Sequence, residues 1–115
     1  MTTHHMGLFE GPFQSMITGR KTVEVRLNDE KRRHVQVGDL IKFTELPDKQ
    51  EKLVVEVVGL KQFGSFRELY ETIPAENFDG GGKSVDEMVD NTYEIYTREQ
   101  ERTGGTLAIQ VKVLK

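Results

Sequence analysis

The alternation of apolar and polar residues along this chain predicts four β-strands. A two-residue period, typical of a strand with one buried face, recurs at residues 22–26, 40–44, 52–60 and 106–113. The third of these segments is too rich in valine for clean alternation, which predicts burial on both faces or a β-bulge. The last segment alternates cleanly, which is the pattern of an edge strand with one buried face. That face carries Leu107, Ile109, Val111 and Val113.

Apolar residues spaced three or four apart predict three helices. The first lies within residues 8–18 and ends at Gly19, since glycine readily takes the conformation that closes a helix. Its apolar face carries Phe9, Phe13, Met16 and Ile17. A serine followed three residues later by glutamate forms a capping box, which opens a short helix at Ser65 and a helix of about five turns at Ser84. Because short loops join the strands, we expect an α+β fold in which helices flank a small, mixed or antiparallel barrel.

Composition limits the class of protein. The 115 residues suffice for one domain with a core, and we expect a flexible leader at residues 1–7 and the domain at residues 8–115. The absence of cysteine excludes disulfides, thiolate catalysis and cysteine zinc sites. Two of the three histidines lie in the expected leader, so we expect no metal site and no cofactor. With no long apolar run and no signal-peptide pattern, the expected location is the cytoplasm, without a membrane partner.

Charge is distributed unevenly along the chain. The net charge of −3 disfavours a protein that coats nucleic acid without sequence preference. Residues 20–34 carry six Lys or Arg against three acids, whereas residues 68–101 carry ten acids against two basic residues. A basic region of this size suits one or a few phosphates and is too small for a long duplex.

The segment GRKTVEVR, residues 19–26, concentrates the candidate chemistry. If its two valines face the core, Glu24 and Arg26 share the other face at roughly 7 Å, close enough to pair or to hold one ligand between them. Arg26 suits a carboxylate or phosphate, Glu24 suits the amino edge of a nucleobase, and Lys21 suits a general base or an oxyanion stabiliser. The alternative is a solvated outer face. We predict that Lys21→Ala and Glu24→Ala leave folding nearly intact, since substitutions at a surface usually change stability by about 0.5 kcal/mol or less.

Two further groups of residues are candidates for a site. Lys31, Arg32 and Arg33 form a basic cluster that suits phosphate, or that is simply solvated. Tyr96 and Glu99 lie three residues apart and so face the same way on the predicted helix. Tyr96 would stack on a base and Glu99 would orient a lysine; the alternative is that Tyr96 belongs to the core. The sequence contains no defensible Ser/His/Asp arrangement, P-loop or dinucleotide fingerprint.

Four segments of the chain, in order, resemble the ASCH family of small domains with a PUA-like fold. GRKTVEVR matches the family signature G-x-K-x-x-E-x-R, and residues 28–43 resemble the segment that joins the first two strands of the family. FGSFRELYE, at residues 63–71, resembles the short helix after the third strand. Residues 93–111 resemble the closing helix and strand through the pattern Y-x-x-Y-x-x-E. The resemblance covers residues 8–114.

The resemblance implies a mixed pseudo-barrel of five to six strands, flanked by about three helices, with a cleft that binds RNA or a nucleotide-like ligand. Some small bacterial members hydrolyse the acetyl amide of acetylcytidine with the signature lysine, a threonine three residues later and a downstream glutamate. Here the lysine is Lys21, the threonine position holds Glu24, and residues 77–84 offer only Asp79 as a carboxylate. Glu24 is the commoner family residue at its position, so the chain resembles the general type more than the catalytic variant.

Three functions are therefore compared below. In the first, a binding module, Lys21, Arg26 and the basic cluster hold phosphate, Glu24 reads a base edge and Tyr96 stacks on the base. Its ligand is a short RNA element, a nucleotide or a nucleoside. In the second, an amidohydrolase, Lys21 activates water or a nucleophile, Glu24 or Glu99 moves the proton and Arg26 stabilises the oxyanion. The third is a protein-interaction module that uses the acidic long helix.

Overall fold

The structure is a computed structural model that describes residues 2–48 and 51–114. Within these residues the chain forms five strands and five α-helices. The strands are β1 (Thr3–Phe9), β2 (Val23–Leu27), β3 (Leu40–Leu46), β4 (Lys52–Phe63) and β5 (Thr106–Val113). The helices are α1 (Glu10–Ile17), α2 (Glu30–Arg33), α3 (Phe66–Thr72), α4 (Val85–Tyr93) and α5 (Arg98–Gly104), with a short 3₁₀ helix at Ala75–Asn77.

The five strands form one mixed sheet in the order β1-β3-β4-β5-β2. β1 runs parallel to β3, and the other neighbouring pairs are antiparallel. β1 and β2 lie at opposite edges, yet Nη2 of Arg26 on β2 donates to the backbone oxygen of Gly7 on β1 at 2.7 Å. The sheet therefore curls until its edges meet, around a core that includes Phe13, Phe43 and Ile109. The predicted α+β class with a mixed, barrel-like sheet is confirmed.

The N-terminal segment departs from the sequence analysis. We expected residues 1–7 to form a flexible leader, but the structure places Thr3–Phe9 in β1, which pairs with β3 along its whole length. Met6 and Leu8 of this strand are each only 5% exposed and belong to the main core. Two alternating apolar residues are too few to predict a strand, but they suffice when a neighbouring strand offers its hydrogen-bonding edge. Residue 1 lies outside the described residues.

Asp39, in the turn before β3, fixes the start of β1. Its Oδ2 lies 2.8 Å from Nε2 of His4 and accepts a hydrogen bond from the backbone of Gln36 at 3.0 Å. Its Oδ1 accepts from the backbone of Thr2 at 3.2 Å. The hydrogen bond with His4, followed by that from Gln36, lowers the pKa of Asp39 below its usual value. The ionised carboxylate thus holds the first residues of the chain against the sheet.

The last two strands confirm one prediction and correct another. The bulge expected in the third predicted strand is present, because the register of β4 against β5 shifts between Val57 and Gly59. The edge position expected for β5 is wrong, because β5 lies between β4 and β2. The first half of its second face is also buried, because Ala108 packs with Val23 and Phe63 in a smaller apolar cluster, whereas Gln110 and Lys112 farther along that face are exposed. A small residue such as alanine gives little sign of this burial in the sequence.

The first helix has the predicted end but only part of the predicted face. Gly19 follows it with a φ of 81°, a conformation that favours glycine. Phe13 and Met16 are fully buried, whereas Phe9 and Ile17 are 60% and 44% exposed. Phe9 ends β1 instead of opening the helix, so the four residues do not share one helical face.

The predicted helix of about five turns is two helices. α4 begins at the predicted capping box, but α5 begins separately after a second capping box formed by Thr97 and Gln100. In this box each side chain accepts from the backbone of the other residue, at 3.1 and 2.8 Å. This second start signal breaks the helix and leaves Tyr96 at the break. Among the described residues, every helix is too short or too polar to cross a bilayer.

Candidate ligand-binding site

A cavity of about 460 Å³ opens where the two edges of the curled sheet approach each other. β2 and the residues before it form its floor. α3, α4 and the segment between them form one wall, and the end of β1 with the start of α1 forms the opposite rim. The volume lies in the lower part of the range of roughly 300–1,000 Å³ that is usual for small-molecule sites. The cavity therefore has room for one small ligand and not for a run of nucleotides.

Lys21, Glu24 and Arg26 meet at the floor of this cavity and are called the charged trio below. Oε1 of Glu24 lies 3.3 Å from Nζ of Lys21, and Oε2 lies 2.7 Å from both Nε and Nη2 of Arg26. The side chains of Lys21, Glu24 and Arg26 are only 10%, 7% and 11% exposed. The alternative of a solvated outer face is therefore wrong, and the trio is a buried charged cluster.

The alternation of β2 explains why the trio is buried. Val23 packs into the smaller apolar cluster on one side of the strand, with Val25 against it. The side chains of Glu24 and Arg26 consequently point to the other side, toward the inside of the curl. There Arg26 lies 6.0 Å from the ring centroid of Phe43 on β3 and bonds to the backbone of β1. The curl of the sheet thus turns an outer strand face into an inner one.

Glu24 is ionised in this setting. Burial opposes its charge, but the nearby charges of Lys21 and Arg26 outweigh burial and hold the pKa of Glu24 below its usual value. An ionised carboxylate accepts hydrogen bonds and donates none. The trio as a whole carries one excess positive charge, which an anionic ligand group would neutralise.

Aromatic rings form much of the cavity wall. Tyr96 lines the cavity and stacks on Phe66, with 5.7 Å between ring centroids and 17° between ring planes. Tyr70 and Phe78 meet edge to face at 5.1 Å, and Nζ of Lys21 lies 5.8 Å from the centroid of Phe78. Burial raises the pKa of Tyr96 above its usual value, so its hydroxyl stays protonated at neutral pH. These rings offer flat apolar surfaces beside a charged floor.

The cavity is more basic than the protein as a whole. Its charged lining residues are Lys21, Arg26 and Lys83 against Glu24, although the chain carries a net charge of −3. Cations gathered in a concave, partly desolvated site attract anions more strongly than the same charges do on an open surface. The charge distribution therefore favours an anionic ligand in the cavity.

The basic cluster lies outside the cavity. Nζ of Lys31 donates to a backbone oxygen of β1 at 2.7 Å, and Arg32 pairs with Asp29 at 2.9 Å. Arg33 donates to a backbone oxygen just before α2 at 3.1 Å and lines a separate, smaller cavity. The structure thus gives these residues local partners beside the predicted site.

One residue of the predicted pair, Tyr96 and Glu99, lies at the cavity. Tyr96 lines the cavity, whereas Glu99 is exposed on α5. The break between α4 and α5 ends the helical spacing that predicted a shared face. Asp79 also faces elsewhere, because its Oδ2 accepts from Oγ of Ser15 at 2.6 Å and lies 3.6 Å from Nε of Arg20. Among the described residues, the trio supplies the only carboxylate that lines the cavity.

Most of the residues that line the cavity were absent from the sequence-based set of candidates. Among them are Tyr70, Phe78, Lys83 and Thr92. Thr92 lies within the predicted helix of about five turns, where a hydroxyl among apolar residues was the available signal. Lys83 follows three glycines in GGGKS, a segment that does not match the P-loop pattern. Tyr70 and Phe78 carry no distinguishing local pattern. The packing of α3 against α4 brings Tyr70 to the site, and an isolated antiparallel β-bridge with Lys21 brings Phe78 there.

Comparison with known families agrees with this geometry. The model of the ASCH domain matches residues 6–115, nearly the whole chain. The chain belongs to the ASCH domain family. The match begins inside β1, which is consistent with the structural role of that strand.

Solved structures show the same ASCH fold. The crystal structure of hypothetical protein PH0355 is 35% identical, with a TM-score of 0.87 over 99% of this chain and 100% of that one. The NMR structure of protein PF0455 from Pyrococcus furiosus is 36% identical, with a TM-score of 0.77 over 98% of both chains. The ASCH domain from Lactobacillus crispatus JV V101 is 15% identical, with a TM-score of 0.68 over 96% of this chain and 79% of that one. The expected PUA-like fold is confirmed. A comparison with curated proteins gives no match.

Proposed function

We propose that this ASCH domain binds one nucleotide unit in the cavity, either a free nucleoside phosphate or an unpaired nucleotide of RNA. The observation that carries the proposal is the buried charged trio, with its excess positive charge, at the floor of a cavity of about 460 Å³. Lys21 and Arg26 attract the phosphate, Glu24 accepts from the base, and Tyr96 offers a stacking surface. The ASCH family membership supports the same class of ligand.

The charge of the site supports a phosphate-bearing ligand over a neutral nucleoside. Three cations against one carboxylate line the cavity, and a hydrogen bond to a charged group contributes about 1.5–3 kcal/mol. We therefore expect a nucleoside monophosphate to bind roughly tenfold or more tightly than the matching nucleoside. Raising the salt concentration weakens the phosphate contacts but leaves the stacking contacts nearly unchanged.

The aromatic wall supports a planar base. Tyr96 is held by its stack on Phe66, so its ring is preorganised before a ligand arrives. Phe9 stands 60% exposed at the rim, where it can cover a bound base. Stacking of a base on an aromatic side chain contributes about 1–3 kcal/mol. A ligand with both a phosphate and a base would use the floor and the wall together.

Isothermal titration calorimetry tests the proposal with nucleoside monophosphates, the matching nucleosides and a short single-stranded RNA, each at two salt concentrations. We expect Lys21→Ala and Arg26→Ala to weaken monophosphate binding about tenfold or more, because each removes a charged contact. Arg102→Ala is the matched control, since Arg102 is an exposed arginine outside the cavity. Absence of binding to every probe, or equal effects of Arg26→Ala and Arg102→Ala, would overturn the proposal. Tighter binding of the RNA than of any monophosphate would identify the ligand as an RNA nucleotide.

The second candidate is hydrolysis of an acetylated cytidine amide. It is favoured by the position of Nζ of Lys21, which is buried in the cavity 3.3 Å from the carboxylate of Glu24. Glu24 would take the role that threonine has in the family's amidohydrolases. Incubation with acetylcytidine, followed by chromatography, tests this candidate with Lys21→Ala as control. Deacetylation that disappears in the variant would make the protein an enzyme, whereas no turnover would leave the binding proposal.

The third candidate, a protein-interaction module, predicts a different response to the same titrations. Its surface would be the acidic residues around α4 and α5. Such a module would be indifferent to monophosphates and to RNA at both salt concentrations. The titrations therefore separate it from the binding proposal.

A further inference from the structure

The hydroxyl groups of Tyr70 and Thr92 fix each other in the wall of the cavity. Oγ1 of Thr92 lies 2.8 Å from the backbone oxygen of Met88, one turn earlier on α4, and 2.7 Å from the hydroxyl of Tyr70. A threonine hydroxyl carries one proton and accepts others. Both contacts are hydrogen bonds only when Thr92 donates to the carbonyl of Met88 and Tyr70 donates to Thr92. If Thr92 donated its proton to Tyr70 instead, no proton would remain for its contact with the carbonyl of Met88.

In this arrangement the hydroxyl oxygen of Tyr70 can accept a hydrogen bond from a ligand but cannot donate one. Its single proton points to Thr92, and both residues line the cavity. Burial raises the pKa of Tyr70, so the hydroxyl keeps its proton, and the arrangement persists at neutral pH. Tyr70 and Glu24 line the same cavity, and Phe78 lies between them. The ring of Tyr70 is 5.1 Å from that of Phe78, and Lys21, which lies 3.3 Å from Glu24, is 5.8 Å from the same ring. Tyr70 and the ionised Glu24 thus offer two acceptors to one ligand in the cavity.

We propose that Tyr70 and Glu24 form an acceptor-only edge of the cavity, which selects a base with an amino group over a base with a keto oxygen at the same position. This inference rests on the proposed function and specifies its ligand class. An exocyclic amino group has two protons, one for each acceptor. A keto oxygen would instead face two sets of lone pairs and the negative charge of Glu24, and it would gain no hydrogen bond from either group, which a site built for hydrogen bonding rejects.

The remaining polar groups of the floor do not cancel this preference. Lys21 and Arg26 each direct protons to the carboxylate of Glu24, and Arg26 directs another to the backbone of Gly7. Their remaining protons suit the phosphate that the net charge of the cavity favours. A keto oxygen can recruit the proton of Tyr70 only by turning Thr92 away from the carbonyl of Met88, which gives up a hydrogen bond. We expect the amino ligand to bind about tenfold more tightly than its keto counterpart.

Two pairs of probes isolate this effect by calorimetry. Adenosine and inosine monophosphates differ in an amino or keto group on a purine, and cytidine and uridine monophosphates differ in the same way on a pyrimidine. For the pair that binds more tightly, we expect the affinity of the unmodified protein for the amino member to be about tenfold higher than for the keto member. Tyr70→Phe removes one acceptor, and we expect the ratio to fall to about threefold or less.

Thr92 provides the sharper variant. Thr92→Val keeps the shape of the side chain but removes the acceptor that holds the proton of Tyr70. Because that proton then becomes available to a keto oxygen, we expect the ratio of amino to keto affinity to approach one or to reverse. Thr92→Ser keeps the hydroxyl, and we expect the original ratio. Circular dichroism verifies folding, and Tyr70→Phe carries the test if Thr92→Val fails to fold. Equal binding of amino and keto members in the unmodified protein overturns this inference but leaves the proposed function. No binding of any of the four probes overturns this inference, and the additional absence of binding to the short single-stranded RNA overturns the proposed function as well.

Discussion

Replacing Glu24 with glutamine removes one charge from the trio and keeps its shape. The carboxylate contacts Lys21 at 3.3 Å and Arg26 at 2.7 Å, so the change leaves two cations close together without a counter-ion. Breaking a buried ion pair by removing one partner costs about 3–5 kcal/mol. The two cations keep 10% and 11% exposure and the glutamine still accepts a hydrogen bond, so we expect a loss of about 3 kcal/mol in the free energy of unfolding. In a domain of this size that lowers Tm by roughly 10 °C.

The effect has a defined dependence on pH. Although burial opposes its charge, the nearby charges of Lys21 and Arg26 hold the pKa of Glu24 in the folded protein below its usual value. A carboxyl group with a lowered folded pKa contributes its stabilisation above the unfolded value and loses it as pH falls through the folded value. The free energy of unfolding therefore differs between the unmodified protein and Glu24→Gln by a constant amount from neutral pH down to about pH 5. Below about pH 5 this difference becomes smaller.

Urea unfolding followed by circular dichroism at several pH values measures both features. The matched control is Glu99→Gln, which makes the same change on an exposed residue of α5, where we expect a change of about 0.5 kcal/mol or less. If Glu24→Gln is as stable as Glu99→Gln at neutral pH, the trio is not a buried charge cluster and the reasoning fails. A difference that widens as the solution is acidified would refute the assigned ionisation of Glu24.

Three further changes test the fold around the site. Gly104→Ala places a Cβ 2.7 Å from the backbone oxygen of Asn28, so we expect urea unfolding to show a loss of about 2 kcal/mol in the free energy of unfolding. Gly81→Ala is the control, since its Cβ meets no atom within 4 Å and should leave the free energy of unfolding nearly unchanged. Glu101→Gln weakens a buried carboxylate that accepts from the backbone at the start of α3 and from a tyrosine hydroxyl of α4, at 2.7 and 2.5 Å. We expect it to weaken monophosphate binding several-fold, as measured by calorimetry, because it loosens the wall that holds the stacking tyrosine. Thr97→Ala removes the cap of α5 and should cost about 1 kcal/mol in urea unfolding; an unchanged midpoint would contradict the role of the second capping box.

The local pattern of β2 was sufficient to predict much of the site. Alternation placed Glu24 and Arg26 on one face, and the structure joins them at 2.7 Å. Whether that face was solvated or buried could not follow from the strand alone, because burial depends on the curl that brings β1 to β2. The prediction that alanine at position 21 or 24 is nearly neutral assumed a surface, and the burial of the trio removes that assumption.

Other parts of the site depend on contacts between distant segments. Tyr70 and Thr92 lie on different helices, and their hydrogen bond exists only because α3 packs against α4. The N-terminal strand escaped prediction because Met6 and Leu8 are its only two core residues. Glu99 was misplaced relative to Tyr96 because the capping box at Thr97 was read as part of a continuous helix. Each failure arose where a local pattern was compatible with two tertiary arrangements.

An NMR titration of the ¹⁵N-labelled protein with adenosine monophosphate tests directly whether the charged trio forms a nucleotide site. We expect saturable shifts in the backbone amides of Lys21, Glu24, Arg26 and Tyr96, which become small in Arg26→Ala and persist in Arg102→Ala. Shifts confined to the basic cluster, Lys31 to Arg33, would place the ligand outside the cavity. The absence of saturable shifts with this nucleotide, with the other monophosphates and with the short single-stranded RNA would contradict the claim that the charged trio forms a nucleotide site.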